Sequence, residues 1–284
     1  VYYPMLGKIM ANQTATVTEG KTGTNIYWRK TETSTSKNTL VLVMGYGGSL
    51  RIWPTSFVEA LAQEYVVITY DNRGTGRSFV PPTPEEYSIS MMADDLNVVV
   101  SELNCSKFHL CGYSMGGCIA LQYAHSYSEK VQSLFLLSST AAGELYAKPD
   151  PEVSSALANP QGQTLWEVYL STFKLMYSPD ALQRCLGAIE SIYETSKDTP
   201  TSARALRGHS HAFKNFDGSR FLATLSAPTL IVSGIEDRLM PVANSKNLAD
   251  AISGSQLILV PDCEHAVHVQ EEALVIRELI KHCR

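Results

Sequence analysis

The sequence predicts a doubly wound, mostly parallel α/β sheet, and three observations lead to this prediction. Short, near-continuous apolar runs recur along the 284 residues, as expected of strands that are buried on both faces. Segments with helical spacing separate these runs, which is the order that a parallel sheet requires. Glycine-rich and acidic loops follow the runs, at the carboxyl ends where such sheets carry their functional groups.

The apolar runs give the predicted strands, and the segments between them give the predicted helices. We expect strands at 39–44, 65–70, 107–111, 131–137, 228–234 and 255–260. We expect the helices that cover the sheet at 53–63, 90–103, 115–127 and 241–252. Each of these helices lies between two strands, so the βαβ unit repeats along the chain.

The most informative motif is Gly112-Tyr113-Ser114-Met115-Gly116, which follows the strand 107–111 and precedes the helix 115–127. A G-x-S-x-G sequence between a strand and a helix is typical of a nucleophile elbow, a turn so sharp that the serine backbone is strained. The glycines leave room for this turn. The pentapeptide alone is weak evidence, and its position between strand and helix makes Ser114 the predicted nucleophile.

A serine nucleophile needs a base, and the base needs an acid that orients it. In this arrangement the acid follows one late strand and the histidine follows the next. Asp237 comes after the strand 228–234, and His265 comes after the strand 255–260. We therefore predict Asp237 as the orienting acid and His265 as the base.

Neighbouring residues compete for both of these roles. Glu236 and Asp262 are alternatives to Asp237, and His268 is an alternative to His265. We favour His265 because it is nearer the strand end, and we expect His268 to line the cleft or to pack behind it.

The oxyanion that forms on an attacked carbonyl needs two preorganised N–H donors. We expect one to be the backbone N–H of Met115 and the other to be the backbone N–H of Tyr46, in the loop after the strand 39–44. The glycines Gly45 and Gly47 let the backbone approach a substrate closely. An ordinary glycine-rich turn is the alternative interpretation of this loop.

The remaining histidines have less specific surroundings. His109 lies inside a predicted strand, where a buried and hydrogen-bonded side chain is expected. His209 and His211 fall in the middle segment of the chain, where we expect solvated helix positions, with a place facing the cleft as the alternative.

Taken together, these motifs resemble those of the α/β-hydrolase superfamily, in particular its capped serine hydrolases. The resemblance rests on segments 45–49, 71–78, the Ser114 elbow, 234–241 and 265–268, and it excludes the middle of the chain. It implies an α/β-hydrolase fold with an inserted helical cap. Two departures are Met44, where the superfamily commonly has histidine, and Glu264, where it often has glycine. A serine nucleophile argues against haloalkane dehalogenase and epoxide hydrolase chemistry, which uses a carboxylate.

The segment between the strands 131–137 and 228–234 is too long for one crossover helix. We predict a helical cap at 142–215, with helices at 163–176, from Pro179 onward and at 201–213. The core domain then comprises 14–141 and 216–284, and residues 1–13 are interpreted as a leader or a non-native remnant. Besides Gly45, Gly47 and His268, three aromatic residues are predicted to bind substrate: Tyr113, Trp166 and Tyr169.

Composition limits the partners and the compartment. The net charge is −5 and no basic cluster appears, which disfavours nucleic acid and anionic membranes as partners. No run approaches the roughly 20 apolar residues that span a membrane. The six cysteines lack paired C-x-x-C spacing, which favours reduced thiols and a cytoplasmic protein, with disulfides as the alternative because the count is even. We expect a monomer or homodimer with no cofactor and no metal.

The sequence favours a cofactor-independent serine hydrolase that cleaves a small ester or lactone with an apolar portion through an acyl-enzyme. The alternatives are carbon–carbon bond hydrolysis, which uses the same three residues, and a perhydrolase or haloperoxidase-like activity of the same triad. Peptidase action on short peptides would also need a carboxylate in the cap to hold the substrate amine. The alternative outside catalysis is a ligand sensor on the same fold, in which movement of the cap is the output.

Overall fold

The structure is a computed structural model that describes residues 14–35 and 37–283. The predicted leader, residues 1–13, lies outside the described residues. One eight-stranded sheet has the strand order β1-β2-β4-β3-β5-β6-β7-β8. Among the described strands, β2 pairs in the antiparallel sense with both β1 and β4. All the other pairs, from β4 across the sheet to β8, are parallel. The strands are β1 (Thr16–Lys21), β2 (Tyr27–Glu32), β3 (Asn38–Val43), β4 (Tyr65–Tyr70), β5 (Phe108–Tyr113), β6 (Val131–Leu137), β7 (Thr229–Gly234) and β8 (Gln256–Val260).

Helices cover both faces of the sheet, so the fold is doubly wound, as predicted. The helices are α1 (Thr55–Ala62), α2 (Ile89–Glu102), α3 (Met115–Ser126), α4 (Pro151–Ala158), α5 (Leu165–Phe173), α6 (Pro179–Ser196), α7 (Ala203–Lys214), α8 (Ala243–Ala251), α9 (Val267–Gln270) and α10 (Glu272–His282). Apolar residues of α2, α3 and α8 form one core cluster with the sheet. Those of α1 and α10 form a second cluster with the opposite face.

The six predicted strands are confirmed, with ends that differ by two residues or fewer. Sequence reasoning missed β1 and β2, which form the antiparallel edge of the sheet. Every residue of β1 is exposed or half-buried, so this strand carries no apolar run. The helices α4, α9 and α10 were also not predicted.

The segment between β6 and β7 carries α4 to α7. Its two ends meet at an antiparallel bridge between Ala142 and Asp217. Next to this bridge, the Gly218 N–H donates to the Ala141 carbonyl at 2.8 Å. In this segment α6 begins as predicted, with Ser178 as N-cap and proline in the first turn.

Two further features of the described residues bear on the sequence analysis. The six cysteines, all within the described ranges, are free thiols. Among these same ranges, no helix has the length and apolar character needed to cross a membrane.

Candidate active site

Ser114 lies between β5 and α3 in a backbone conformation that is rare for an L-residue, with φ 55° and ψ −125°. The adjoining glycines are required by close contacts: a Cβ at Gly116 would lie 2.2 Å from the Val43 carbonyl oxygen, and one at Gly112 would lie 2.4 Å from the Gly116 carbonyl oxygen. The Ser114 N–H donates to the Leu137 carbonyl at 2.9 Å. The elbow is therefore built against β3 and β6, and it fixes the serine at the carboxyl end of the sheet.

A continuous chain of hydrogen bonds joins the three predicted catalytic side chains. His265 Nε2 lies 3.1 Å from Ser114 Oγ, and His265 Nδ1 lies 2.7 Å from Asp237 Oδ2. The other carboxylate oxygen, Oδ1, accepts the N–H groups of Leu239 at 2.9 Å and Met240 at 2.8 Å. Since a carboxylate can only accept, Nδ1 carries the imidazole proton and Nε2 is left to accept a proton from the serine.

The loops that carry Asp237 and His265 are bonded to each other. The Ile235 N–H donates to the Val260 carbonyl at 2.9 Å, and the Glu236 N–H donates to the Cys263 carbonyl at 3.0 Å. Both side chains are buried, with Asp237 4% and His265 3% exposed. The competing carboxylates of Glu236 and Asp262 are exposed instead. The structure therefore brings Asp237, and neither alternative, to the imidazole.

The glycine loop 45–48, here called the oxyanion loop, lies directly against the elbow. A Cβ at Gly45 would lie 2.9 Å from Ser114 Cβ and 3.4 Å from the backbone nitrogen of Met115. Among residues 14–35 and 37–283, the N–H groups of Tyr46 and Met115 have no hydrogen-bond acceptor. The Met115 N–H adjoins the serine, and the Tyr46 N–H follows Gly45, whose backbone lies against Ser114. Both groups therefore stay the predicted oxyanion donors.

Met44 leaves the start of the oxyanion loop without a polar side chain. Its carbonyl accepts the Asn72 side-chain N–H at 2.8 Å, and its side chain packs under Gly48. The departure from the superfamily pattern at this position is thus accommodated by Asn72 and by apolar contact.

Two predicted substrate-binding side chains are buried behind the imidazole. The Tyr113 ring lies 5.1 Å from the His265 ring and 4.4 Å from the His268 ring. His268 also packs against Trp53 at 5.0 Å, and both of its ring nitrogens are buried without a hydrogen-bond partner among the described residues. Aromatic neighbours enclose both rings, so His268 takes the packed position, which is one of its two expected places. Substrate contact by Tyr113 or His268 stays a prediction, and the structure shows their packing behind the imidazole.

Trp166 and Tyr169 belong to an aromatic cluster in the segment between β6 and β7. Trp166 lies 4.9 Å from Tyr193, and Tyr169 lies 4.3 Å from Phe173, measured between ring centroids. This cluster packs against Ala266, the residue after His265. A substrate contact by Trp166 or Tyr169 therefore stays a prediction, and the structure shows their packing against other aromatic rings of this segment.

Glu264, the second departure from the superfamily pattern, is only 6% exposed and does not point to solvent. Its Oε2 is buried and has no hydrogen-bond partner within the described ranges. The carboxyl group lies near Tyr177 and Cys185 of the segment between β6 and β7, where burial raises the pKa of both of these groups.

The structure buries two of the other histidines, His109 and His209. His109 is buried, as expected, with Nδ1 2.7 Å from Ser133 Oγ. The prediction that His209 is solvated is wrong, because its side chain is fully buried. The Gly47 N–H donates to its Nδ1 at 3.1 Å, and its Nε2 lies 2.9 Å from the Arg73 carbonyl oxygen. The signal that sequence reasoning missed is the spacing of small residues on α7, because Ala205, Gly208 and Ala212 place His209 on the buried face.

Comparisons with known proteins agree with this architecture. A family model described as the alpha/beta hydrolase fold matches residues 38–272. The protein named "Putative carbamate hydrolase RutD" from Agrobacterium fabrum is 29% identical over 249 residues, which cover 86% of this chain and 92% of that protein.

Solved structures give the same result. An enol-lactonase from Burkholderia xenovorans LB400 superposes with a TM-score of 0.79 at 20% identity, covering 93% of this chain and 99% of the lactonase. Est816, described as an N-acyl homoserine lactone degrading enzyme, has a TM-score of 0.71 at 26% identity, covering 90% of this chain and 96% of Est816. The family model spans most of the chain and contains every element that carries the site, so this protein belongs to the alpha/beta hydrolase fold family.

Proposed function

We propose that this protein is a cofactor-independent serine hydrolase that cleaves a small ester or lactone through an acyl-enzyme. The observation that carries the proposal is the unbroken hydrogen-bond chain Ser114–His265–Asp237 beside two free backbone donors. A serine alone is a poor nucleophile at neutral pH, and this arrangement supplies the base and the orienting acid that it lacks.

The first half of the reaction forms the acyl-enzyme. Ser114 Oγ attacks the substrate carbonyl carbon while its proton passes to His265 Nε2. Asp237 holds the imidazole in the required tautomer and stabilises the imidazolium that results. The carbonyl oxygen becomes an oxyanion, which accepts hydrogen bonds from the N–H groups of Tyr46 and Met115. The intermediate then collapses, and the leaving alkoxide takes the proton from His265.

The second half hydrolyses the acyl-enzyme. His265, neutral again, takes a proton from a water molecule as the water oxygen attacks the acyl carbon. Collapse of this second intermediate breaks the bond to Ser114 Oγ, which recovers its proton from His265. For a lactone, the alkoxide of the first half stays attached to the acyl group and leaves with the product.

The segment 142–215 is proposed to act as the cap over this centre. Support comes from the bridge between Ala142 and Asp217, which marks where the segment leaves and rejoins the core. Further support comes from the packing of the cap cluster on Ala266, beside the base. An apolar portion of the substrate suits such a cover.

Carbamate hydrolysis is the second candidate function. The observation that favours it is the 29% identity with the protein named for this activity, over 86% of the chain. A carbamate presents the same carbonyl to the same nucleophile, so the site geometry supports both reactions. The 26% identity with a lactone-degrading enzyme favours the first candidate.

The proposed function is tested by labelling and then by turnover. Intact mass after exposure to a fluorophosphonate probe, with peptide mapping, should show one adduct on Ser114. Ser114→Ala should abolish the adduct, whereas Ser126→Ala, at an exposed position on the same helix, should not. Rates on an ester, a lactone and a carbamate with matched apolar groups then rank the candidates. A folded protein that takes no label and turns over none of the three would refute the proposal.

A further inference from the structure

The oxyanion loop is bonded to the cap through both peptide groups of Gly47. Its N–H donates to His209 Nδ1 at 3.1 Å, and its carbonyl accepts the Thr201 hydroxyl at 2.7 Å. The neighbouring Tyr46 hydroxyl donates to the Leu206 carbonyl at 3.1 Å. All of these partners come from residues 201–209, so a single stretch of the cap holds the loop that carries a predicted oxyanion donor.

His209 has one defined hydrogen-bonding state in this position. Its Nε2 lies 2.9 Å from the Arg73 carbonyl, which can only accept, so Nε2 carries the proton. Nδ1 is then an acceptor, as the Gly47 N–H requires. Burial lowers the pKa of His209 to about 4, although the bond to the Arg73 backbone opposes this shift, and the imidazole is therefore neutral at neutral pH. The ring packs edge-on to Tyr46 and Tyr87, so it cannot turn freely.

The carbonyl that anchors His209 belongs to a residue that is itself fixed. The Arg73 guanidinium donates to both carboxylate oxygens of Asp95, at 2.7 and 2.9 Å, and this pair is largely buried. A bidentate, buried pair of this kind is rigid. His209 thus connects the oxyanion loop to a rigid part of the core as well as to α7.

The bond to the Gly47 N–H selects one orientation of the oxyanion loop. The loop is a turn closed by the Gly48 N–H on the Gly45 carbonyl at 3.2 Å, and Gly47 has φ +65°. A positive φ at this place is that of a type II turn, which differs from a type I turn by a flip of the central peptide. That peptide joins Tyr46 to Gly47, and its N–H is the one that His209 accepts.

We propose that His209 is a positioning residue for catalysis: it fixes the Tyr46–Gly47 peptide and so holds in place the adjoining Gly45–Tyr46 peptide, whose N–H is the predicted oxyanion donor. This inference rests on the proposed hydrolase function and adds to it. The cap then takes part in the chemical step as well as covering the substrate. Since oxyanion donors act mainly on the transition state, a misaligned loop lowers kcat more than it changes KM.

Two similar substitutions separate this role from simple packing. In His209→Asn, the amide oxygen lies near the position of Nδ1 and keeps an acceptor for Gly47. In His209→Gln, the amide nitrogen lies near the position of Nε2 and keeps the donor to Arg73 while losing that acceptor. His211→Gln, on the half-exposed side of the same helix, is the matched control.

We expect His209→Gln to lower kcat by about 10- to 100-fold, less than the loss of a complete oxyanion donor, with KM within about 2-fold. His209→Asn should keep kcat within about 3-fold of the wild type, because the acceptor is retained. The assay is steady-state kinetics on the best substrate of the panel, together with the rate of fluorophosphonate labelling and thermal midpoints. Equal kcat losses in both variants, or lower midpoints with unchanged kcat, would overturn the positioning role.

A second variant keeps the inference testable if His209→Gln does not fold. Thr201→Val removes only the hydroxyl bond to the Gly47 carbonyl, and we expect a kcat loss of about 3- to 10-fold at unchanged KM. An unchanged kcat in this folded variant would count against a role for the cap in orienting the loop. Failure of the proposed function is recognised separately, because the wild-type protein would then take no label on Ser114.

Discussion

Replacement of His268 by phenylalanine should make the protein less sensitive to acid. The imidazole is 2% exposed and sits among aromatic rings, and its two nitrogens find no partner in the part of the chain that the structure describes. Burial, followed by the nearby charge of His265, lowers the pKa of His268 to about 3. Because the pKa is lower in the folded state, the native protein resists a proton that the unfolded chain accepts. The contribution of His268 to the free energy of unfolding is therefore fully present above the pKa of the unfolded chain, and it is lost as the pH falls toward 3.

The magnitude follows from the two pKa values. An unfolded histidine titrates near 6.5, so between pH 8 and pH 4.5 the unfolded chain binds almost one proton more at this position. At about 1.4 kcal/mol per unit, His268 alone should lower the free energy of unfolding by about 2–3 kcal/mol over this range. Phenylalanine has a similar shape, so at pH 8 the exchange should cost less than about 1.5 kcal/mol.

The assay is urea unfolding of wild type and His268→Phe at pH 8 and pH 4.5. The loss of stability on acidification should be about 2–3 kcal/mol smaller in the variant. His125→Phe, the same exchange at an exposed position, is the control and should leave the loss unchanged. Equal losses in wild type and His268→Phe would show that this imidazole is protonated in the folded state, which would refute the reasoning.

Four further predictions concern the site and its support. Ser114→Ala and His265→Ala should each lower kcat by about 10⁴-fold or more, and the double variant should be no slower; additive losses in steady-state kinetics would contradict a shared role. Asp237→Asn should lower kcat by about 10⁴-fold through the wrong tautomer, with little change in thermal midpoint. Asp95→Ala leaves the Arg73 charge buried and should lower the free energy of unfolding, measured in urea, by about 3 kcal/mol; a loss below about 1 kcal/mol would argue against burial of the pair. Gly116→Ala places a Cβ 2.2 Å from the Val43 carbonyl oxygen and should lower the midpoint of unfolding strongly; an unaffected midpoint would mean that the elbow can shift.

The parallel part of the fold could be predicted because its strands are buried on both faces. Strands such as β4 and β6 consist almost entirely of buried residues, so they appear in the sequence as apolar runs. The same reasoning fails for β1, whose side chains are exposed or half-buried at the antiparallel edge. An exposed edge strand needs no apolar pattern, and its place is set by pairing with β2.

The part of the candidate site that could be predicted consists of residues that directly follow a strand in the sequence. The elbow, the acid and the histidine each follow a strand, and their positions relative to one another are then a property of the sheet. His209 could not be found in this way, since its partners Gly47 and Arg73 lie 162 and 136 residues away along the chain. The choice between lining the cleft and packing could not be made for His268 for a related reason: closeness to the base in sequence does not specify which side of the imidazole a ring will pack against.

The bridge between Ala142 and Asp217 brings together the two ends of the segment proposed as a cap. Because the chain leaves and rejoins the core at one point, the sheet does not depend on how long the insertion is. The entropy of closing a loop between fixed ends grows only slowly with its length. We therefore expect that segments of different length can replace this one between Ala142 and Asp217 while the sheet stays the same. Such a replacement would have to supply its own acceptor for the Gly47 N–H, which His209 provides in this protein.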